Sequence, residues 1–441
     1  MVDMVNASSI KPNIAHEEKM TKKIKIMTLS DMPFSPSGVG TQTKYIIESL
    51  LKTGRYSFVS LGGAIKHPKY DPIKTREWED DWVVYPVDGY GNEEIVRSIV
   101  RNHKPDMVWF MTDPRFWHWL WSMENEIRPL MPMIYYHVWD NYPYPKFNKL
   151  FYDSNDAIAT ISKLTDDVVK NVSPDVRSLY IPHAVDTEVF KPGTPETDEE
   201  TKKAIFGENY DPNKIIFFWN NRNARRKQSG SLVFWFGKFL EKIGKDKAIL
   251  IMHTDVKDEN GQDLEAIAKN IGLTGGEIVF SQNKVSAERL ASVLQAVDCT
   301  INIADAEGFG LATLESLACG TPVIVTMTGG LQEQVTDGDK WFGIGIEPTS
   351  KAIIGSQQIP YIYEDRLSED AVVGALTQMY EASKEQREEW GTLGREHVLK
   401  NYNFENYGKQ WDNFLTDIHE SEGSWSTRRK ITQWELKEVA V

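Results

Sequence analysis

Two glutamates, Glu307 and Glu315, are separated by a short segment with two glycines. The apolar run at residues 299–304 predicts a buried strand before them, and residues 311–319 predict a helix. The intervening Glu307-Gly-Phe-Gly310 predicts a tight loop. A strand, a glycine loop and a helix N-terminus form an anion site, because free backbone N–H groups and the helix dipole point the same way. Carboxylates beside such a site suit a ligand that joins phosphate to a sugar.

A basic cluster, Asn220-Asn-Arg-Asn-Ala-Arg-Arg-Lys227, follows another apolar run at residues 215–219. Fixed cations such as Arg222 and Lys227 could neutralise an anionic ligand without a metal ion. No Asp-x-Asp pair stands at a strand end to hold a divalent cation. Taken alone, the cluster also fits a solvated basic loop, and Arg225 and Arg226 are expected at the surface.

Strands alternate with helical segments on both sides of these motifs, which predicts parallel sheets covered on both faces. In the first half, apolar runs predict strands at residues 24–30, 56–62, 82–87, 107–111, 133–137, 157–161 and 177–181. Those of the second half are residues 215–219, 248–252, 277–280, 299–304 and 321–326. The sequence therefore predicts an α/β protein with two Rossmann-like, doubly wound domains that face each other across a cleft.

The domain boundaries follow from this alternation and from composition. Residues 191–213 carry prolines around an acidic run and predict a linker. Residues 350–360 predict an insertion between short strands. The predicted division is a disordered leader at 1–20, a first domain at 21–190, the linker at 191–213, a second domain at 214–403, a last helix at 404–420 and a polar tail at 421–441.

Composition restricts the class of protein. Hydrophobic residues make up 41% and charged residues 26% of the chain, as in soluble globular proteins. No apolar run is long enough to span a bilayer, and residues 1–20 lack the apolar region of a signal peptide. Cys299 and Cys319 both fall in apolar segments and are expected to be reduced core residues of a cytoplasmic protein. The net charge of −14 disfavours nucleic acid, although most of the excess lies after residue 190.

Several segments together support a family resemblance. The stretch from Glu307 to Ile324 resembles the Glu-x7-Glu signature of retaining glycosyltransferases of the GT-B fold, family 4. Residues 220–227 resemble that family's Gly-Arg-x4-Lys segment, with Asn221 in place of the glycine. Three further segments match in the family's order, namely Ser35-Pro-Ser-Gly-Val-Gly40, Ile181-Pro-His-Ala-Val-Asp-Thr-Glu-Val-Phe-Lys-Pro192 and Thr328-Gly-Gly-Leu-Gln-Glu333.

The resemblance implies roles in binding the donor. Glu315 would accept hydrogen bonds from the ribose hydroxyls, and Glu307 would contact the transferred sugar. Arg222 and Lys227 would hold the diphosphate, and the first-domain glycine loop would approach it. The implied donor-binding residues are Gly38, Gly40, Arg222, Lys227, Glu307, Gly308, Phe309, Gly310, Leu311 and Glu315. The co-substrate is expected to be a nucleotide-diphosphate sugar, a UDP-sugar in the first place, with no other cofactor and no metal.

On the acceptor side, the resemblance aligns His137 with an active-site histidine that faces the transferred sugar. His137, Glu307, Arg222 and Lys227 are the expected catalytic residues, and Trp139, Asp140 and Tyr142 the expected acceptor rim. The first domain would bind the acceptor, the second the donor, and the last helix would pack back on the first domain. A neighbouring aromatic stretch, residues 109–121, fits core packing as well as stacking on sugars or bases.

The expected reaction is retaining transfer of a sugar to an acceptor hydroxyl, with the departing phosphate taking the acceptor proton. A double displacement through Glu307 is the alternative mechanism. The motifs are also compatible with a GT-B phosphorylase or epimerase and with a non-catalytic nucleotide-sugar-binding protein. The expected acceptor is a glycan or a small molecule, and hydroxymethylated bases in DNA are the alternative. Stable membrane insertion is not expected, and the sequence leaves the oligomeric state open.

Overall fold

A computed structural model describes residues 22–208 and 210–431. The predicted leader and the end of the predicted tail, residues 432–441, lie outside this range. The first domain is built on an eight-stranded sheet with the order β3-β4-β2-β1-β5-β6-β7-β8, in which only β3 runs antiparallel to its neighbour. Its strands are β1 (Ile24–Asp31), β2 (Tyr56–Gly63), β3 (Ile73–Lys74), β4 (Trp82–Pro86), β5 (Met107–Thr112), β6 (Met133–His137), β7 (Ala157–Thr160) and β8 (Ser178–Tyr180).

Helices cover both faces of this sheet, so its central strands are buried along most of their length. All residues of β2, β5 and β6 are buried. The first-domain helices are α1 (Gly38–Leu51), α2 (Glu93–His103), α3 (His118–Trp121), α4 (Glu124–Ile127), α5 (Lys149–Asp153) and α6 (Lys163–Val172).

The second domain contains a six-stranded parallel sheet with the order β11-β10-β9-β12-β13-β14. Its strands are β9 (Ile215–Asn220), β10 (Ala248–His253), β11 (Ile278–Ser281), β12 (Cys299–Asn302), β13 (Val323–Thr326) and β14 (Gly343–Ile346). Its helices are α7 (Pro195–Phe206), α8 (Ser229–Ile243), α9 (Leu264–Asn270), α10 (Ala287–Ala296), α11 (Leu311–Ala318), α12 (Gln332–Val335), α13 (Glu369–Glu381) and α14 (Lys384–Asn401). Cys299 and Cys319 are free and buried.

Strand order places the loops that carry the sequence motifs next to one another. In the second sheet the order reverses between β9 and β12, which lie side by side although three helices separate them in sequence. The loops after these two strands carry Arg222 to Lys227 and Asp305 to Gly310. Ligands of open α/β sheets bind at such switch points, outside the carboxyl ends of the strands. The fold therefore brings the basic cluster to the glycine loop.

Two segments differ from the predicted linker and tail. Within the predicted linker at 191–213, residues 195–206 form helix α7, because Thr194 and Thr197 form a capping box and Pro195 occupies the first helical turn. The last helix, α15, extends over Phe404–Glu422. After it, Trp425 donates to the carbonyl of Pro105 (2.9 Å), and the Arg428 guanidinium reaches Asp156 (2.6 Å). The beginning of the predicted tail is thus held against the first domain.

The insertion forms a separate two-stranded antiparallel hairpin, β15 (Ser350–Ile354) and β16 (Ile362–Arg366). It leaves the second sheet after β14 and crosses to the first domain. Tyr363 pairs with Tyr142 across the domain boundary, with its N–H donating to the Tyr142 carbonyl (2.8 Å). Ile362 is buried in the hydrophobic core of the first domain. The hairpin is therefore part of the second domain in sequence, but it contacts both domains.

Candidate functional site

The glycine loop after β12 is held in place by a second glycine turn. Gly310, at φ +96°, is the residue before α11, a conformation that favours glycine. Gly329, at φ +50°, lies so close that a Cβ there would be 1.8 Å from the carbonyl oxygen of Glu307. Gly330 donates its N–H to the same carbonyl (3.0 Å). The Gly329-Gly330 turn thus packs directly on the loop and fixes the position of Glu307.

Glu307 forms an ion pair with Lys227, which follows the neighbouring strand β9. The ammonium of Lys227 contacts Oε2 of Glu307, and both side chains are almost entirely buried. Burial acts to raise the pKa of Glu307, but Lys227 and Arg226 outweigh it and hold that pKa below the usual value. Glu307 is therefore ionised at neutral pH, and its charge is balanced across the switch point.

Glu315, unlike Glu307, has no cation paired with its carboxylate among the described residues. It lies on α11 and lines an interdomain cavity of about 940 Å³. Among residues 22–208 and 210–431, no side chain forms an ion pair or a hydrogen bond with its carboxylate. Burial raises the pKa of Glu315 to about 8. A partly buried carboxylate without a partner is costly, so this position suits a ligand whose hydroxyl groups donate to it.

Both domains line this cavity, which has the size of a small-molecule site. The second domain contributes Asn220, Arg222, His253, Lys284 and Leu311, and the first contributes Gly38, Thr41, Gln42, Tyr45 and Ile65. Arg222 is exposed at the wall and is held by Asp258, with Nε 2.7 Å from Oδ2. Gly38 makes the close approach between the domains possible, since a Cβ there would lie 3.0 Å from Leu311 Cδ1.

The remaining residues of the predicted donor set lie around this cavity without lining it. Gly40 is buried against the turn after β1, where a Cβ would lie 2.5 Å from the Met32 carbonyl oxygen. Gly308 faces Ile161 and Val138 of the first domain. Phe309 is buried with its ring 5.0 Å from that of His183. These three residues shape the loops and the domain contact, whereas Arg222, Leu311 and Glu315 face the cavity.

The prediction that His137 faces the cleft is wrong. His137 ends β6 and is completely buried, with Nδ1 3.0 Å from the Tyr135 hydroxyl and Nε2 2.6 Å from the Tyr152 hydroxyl. Both ring nitrogens thus have partners inside the first domain. Burial lowers the pKa of His137 to about 3, so the ring is neutral. The structure assigns this histidine to the core.

The three predicted acceptor residues have different environments. Trp139 is buried and donates from Nε1 to the Asn141 carbonyl (2.6 Å), which makes it a core residue. Tyr142 donates from its hydroxyl to Asp167 (2.8 Å) and pairs with the hairpin. Asp140 lies 3.5 Å from the Arg226 guanidinium. Of the three, only Asp140 touches the group of charged residues around Glu307.

That group includes residues that sequence analysis missed. Arg226 is not a free surface side chain, because it also donates to the carbonyl of Ala306. Arg225 is exposed, as expected, but it also forms two 2.8 Å bonds to the buried carboxylate of Glu364 on β16. Arg366, on the same strand, contacts both Glu364 (2.9 Å) and Asp305. Burial raises the pKa of Asp305 to about 6, and Gln228 and Arg366 act against that increase. Nothing in the local sequence of the hairpin indicated that Glu364 and Arg366 would make these contacts.

The described residues contain neither a cluster of metal ligands nor a membrane-spanning helix. In the part of the chain that the structure describes, no group of three or more His, Cys, Asp or Glu side chains is placed to hold a metal ion. Over the same described residues, no helix has the length and apolarity that crossing a bilayer requires.

Residues 199–396 match the family model described as "Glycosyl transferases group 1". Alpha-maltose-1-phosphate synthase of Mycolicibacterium smegmatis is 22% identical over 256 residues, which cover 57% of this chain and 60% of that protein. D-inositol 3-phosphate glycosyltransferase of Paenarthrobacter aurescens is 29% identical over 185 residues, which cover 41% of this chain and 43% of that protein. The chain spans about half the length of the curated relatives it matches.

Solved structures resemble nearly the whole chain. Sucrose-phosphate synthase from Thermosynechococcus elongatus superposes with a TM-score of 0.71 at 16% identity, covering 90% of this chain and 100% of that one. Anabaena Alr3699/HepE in complex with UDP-glucose superposes with a TM-score of 0.64 at 13% identity, covering 89% and 99%. The chain therefore has the two-domain GT-B fold, and most of its second domain matches the group 1 glycosyltransferase family.

Proposed function

We propose that this protein is a glycosyltransferase that moves a sugar from a nucleotide-diphosphate sugar to an acceptor hydroxyl, with retention of configuration and without a metal ion. The observation that carries the proposal is Glu315, a carboxylate that has no partner among the described residues and that lines a cavity of about 940 Å³ between the two domains. The family match over residues 199–396 supports it, because that range includes Glu315 and most of the second-domain cavity wall.

In the proposed complex the nucleotide occupies this cavity. Glu315 accepts hydrogen bonds from the ribose hydroxyls, which restores the hydrogen bonding that the carboxylate lost on burial. The diphosphate lies at the N-terminus of α11, where free N–H groups favour an anion. UDP is the nucleotide we propose, and the Anabaena neighbour in complex with UDP-glucose supports that choice.

The proposed catalytic groups stabilise the leaving group. Arg222 at the cavity wall and Lys227 beside Glu307 supply positive charge as the glycosidic bond breaks. Glu307 holds the transferred sugar and is not the nucleophile in this proposal. Its pairing with Lys227 supports that role, because a carboxylate engaged by a buried ammonium is a weaker nucleophile. The departing phosphate takes the proton of the acceptor hydroxyl.

The acceptor in this proposal is a glycan or a small molecule that reaches Glu307 from the side of Asp140 and the hairpin. The relatives include a D-inositol 3-phosphate glycosyltransferase, which makes phosphorylated acceptors a class to compare with uncharged ones.

Calorimetric titration with UDP tests the proposal. At pH 9, where Glu315 is ionised, we expect UDP to bind the wild-type protein and to bind Glu315→Gln at least tenfold more weakly, because hydrogen bonds to a charged group are worth about 1.5 to 3 kcal/mol. Glu200→Gln is the matched control, since Glu200 is exposed on α7, outside the cavity. Unchanged affinity in Glu315→Gln would remove the ribose role. If UDP-glucose were bound but never cleaved, a non-catalytic binding function would replace this proposal.

A further inference from the structure

The β15–β16 hairpin bridges the two domains beside the loop that carries Glu307. The N–H of Asp365 donates to the carbonyl of Asp305 (3.0 Å), two residues before Glu307. Asn141 of the first domain donates from its side chain to the carbonyl of Tyr363 (2.9 Å). Strand β16 is therefore bonded both to the segment that carries Glu307 and to the one that carries Asp140. An acceptor that approaches Glu307 from this side meets the hairpin.

The charged residues next to Glu307 form a network in which each cation contacts a carboxylate. Lys227 pairs with Glu307, and Arg226 lies 3.5 Å from Asp140. The hairpin completes the network, because Glu364 forms an ion pair with Arg225, and Arg366 forms ion pairs with both Glu364 and Asp305. The cations are Arg225, Arg226, Lys227 and Arg366, and the carboxylates are Asp140, Asp305, Glu307 and Glu364. Four positive charges are thus balanced by four negative ones.

A phosphorylated acceptor requires cations that are free to bind it. Arginine binds phosphate through the same two-pronged geometry that it uses for carboxylate, so an arginine that moves to phosphate leaves its carboxylate unpaired. That loss costs more for Glu364, whose side chain is 3% exposed, than for Asp258, the 13% exposed partner of Arg222. Arg225 is held in this way by Glu364. On the first-domain side, Arg115 is likewise held by Asp113, with bonds of 2.8 and 2.9 Å. A bound donor would add a diphosphate to this balanced group, which disfavours a second phosphate further.

We propose that the hairpin makes the acceptor side of the site electrically neutral and thereby selects an uncharged, hydroxyl-bearing acceptor over a phosphorylated one. Glu364 is the positioning and specificity-determining residue of this device, because it occupies Arg225 and Arg366 without touching the cavity that would hold the donor. The inference rests on the proposed function, since it concerns the acceptor of that reaction.

The test compares glucose with glucose 6-phosphate, and myo-inositol with inositol 3-phosphate, on the UDP-loaded protein and in transfer from UDP-glucose. We expect the wild-type protein to show no saturable binding of either phosphate by thermal shift, and to use neither as an acceptor more than one tenth as well as its uncharged partner. Glu364→Gln should release Arg225 and Arg366, and should show the saturable thermal shift with the phosphates that wild type lacks. Glu364→Asp keeps the charge and should behave like wild type.

Glu347→Gln is the matched control, because Glu347 is exposed just before the hairpin and should not change the preference. If Glu364→Gln does not fold, Asp140→Asn replaces it, since it should release Arg226 in the same way. A wild-type preference for a phosphorylated compound, or phosphate binding unchanged by both substitutions, would overturn the inference. Failure of the protein to bind UDP would instead refute the proposed function, so the two failures are distinguishable.

Discussion

Glu315 is costly for the folded protein as long as its cavity holds no ligand. Burial raises its pKa to about 8, so between its ordinary value and pH 8 the folded protein keeps a proton that the unfolded chain loses. Stability therefore falls as the pH rises through this window, and the full cost is present above pH 8. A glutamine at this position has no such cost.

We predict that Glu315→Gln stabilises the protein by about 1 to 3 kcal/mol at pH 9 and much less at pH 5. This gain is smaller than the full pKa shift would give, because the carboxylate borders an open cavity. Urea unfolding at the two pH values measures the difference. The exposed Glu200→Gln should show the same small effect at both. A stabilisation by Glu315→Gln that does not change with pH would contradict the assigned pKa.

The partners of His137, Arg225 and Arg226 could not be predicted from the sequence. A lone histidine at a strand end is usually structural, and the resemblance alone assigns His137 to the site; only the folded chain brings Tyr135 and Tyr152 to its two nitrogens. Arg225 and Arg226 resembled solvated residues because their partners Glu364 and Asp140 lie far away in sequence. In contrast, Glu315 could be located from local pattern, because a strand, a glycine loop and a helix follow one another directly.

At the scale of elements, the Gly329-Gly330 turn supports the loop that carries Glu307. Gly329→Ala would place a Cβ 1.8 Å from the Glu307 carbonyl oxygen at a φ of +50°. We predict a destabilisation of more than about 2 kcal/mol and at least a tenfold loss of UDP affinity, because the loop must move to relieve the clash. Urea unfolding and calorimetry measure the two effects.

Gly374→Ala is the control for that substitution. Gly374 lies inside α13, and a Cβ there would meet nothing within 4 Å. Alanine at this position should stabilise the helix by up to about 1 kcal/mol and leave UDP binding unchanged. If both alanines had the same effect, the turn would not be a support for the site.

The predictability of the elements depends on how local their causes are. The buried strands and the helices beside them are encoded in short apolar runs, so both sheets could be outlined from the sequence. Helix α7 carries a local signal in Thr194 and Pro195, but the surrounding prolines and acidic residues favoured a linker. The hairpin was visible only as an insertion, because its position depends on Ile362 entering the first-domain core and on Tyr363 pairing with Tyr142.

The two domains share a hydrophobic core in addition to facing each other across the cleft. One hydrophobic cluster contains residues of both sheets, such as Ile26 and Ile216, together with Trp411 of α15. The ring of Trp411 lies 4.8 Å from that of Tyr136 in the first domain. Asp412, the next residue, accepts a hydrogen bond from Tyr56 (2.7 Å). Because this core is shared, we expect the two domains to unfold in one transition rather than separately.

Glu333 is one of the polar links between the two domains. It is buried on α12 of the second domain and accepts from the Lys163 N–H (2.7 Å) at the start of α6 and from the Tyr180 hydroxyl (2.6 Å), both in the first domain. Burial raises the pKa of Glu333, while the bonds from Tyr180 and Lys163 act against that increase. In Glu333→Gln, one oxygen becomes an NH2 group that cannot accept, so one first-domain donor loses its partner.

We predict that Glu333→Gln lowers the free energy of unfolding by about 1 to 3 kcal/mol, with urea unfolding still a single transition of unchanged slope. Tyr180→Phe should have a smaller effect in the same direction, since it removes one of the two donors. Tyr210→Phe is the control, because the Tyr210 hydroxyl contacts Glu199 at the surface and within one domain. A second transition in either interdomain variant would show that this contact, rather than the shared core, makes the two domains unfold together.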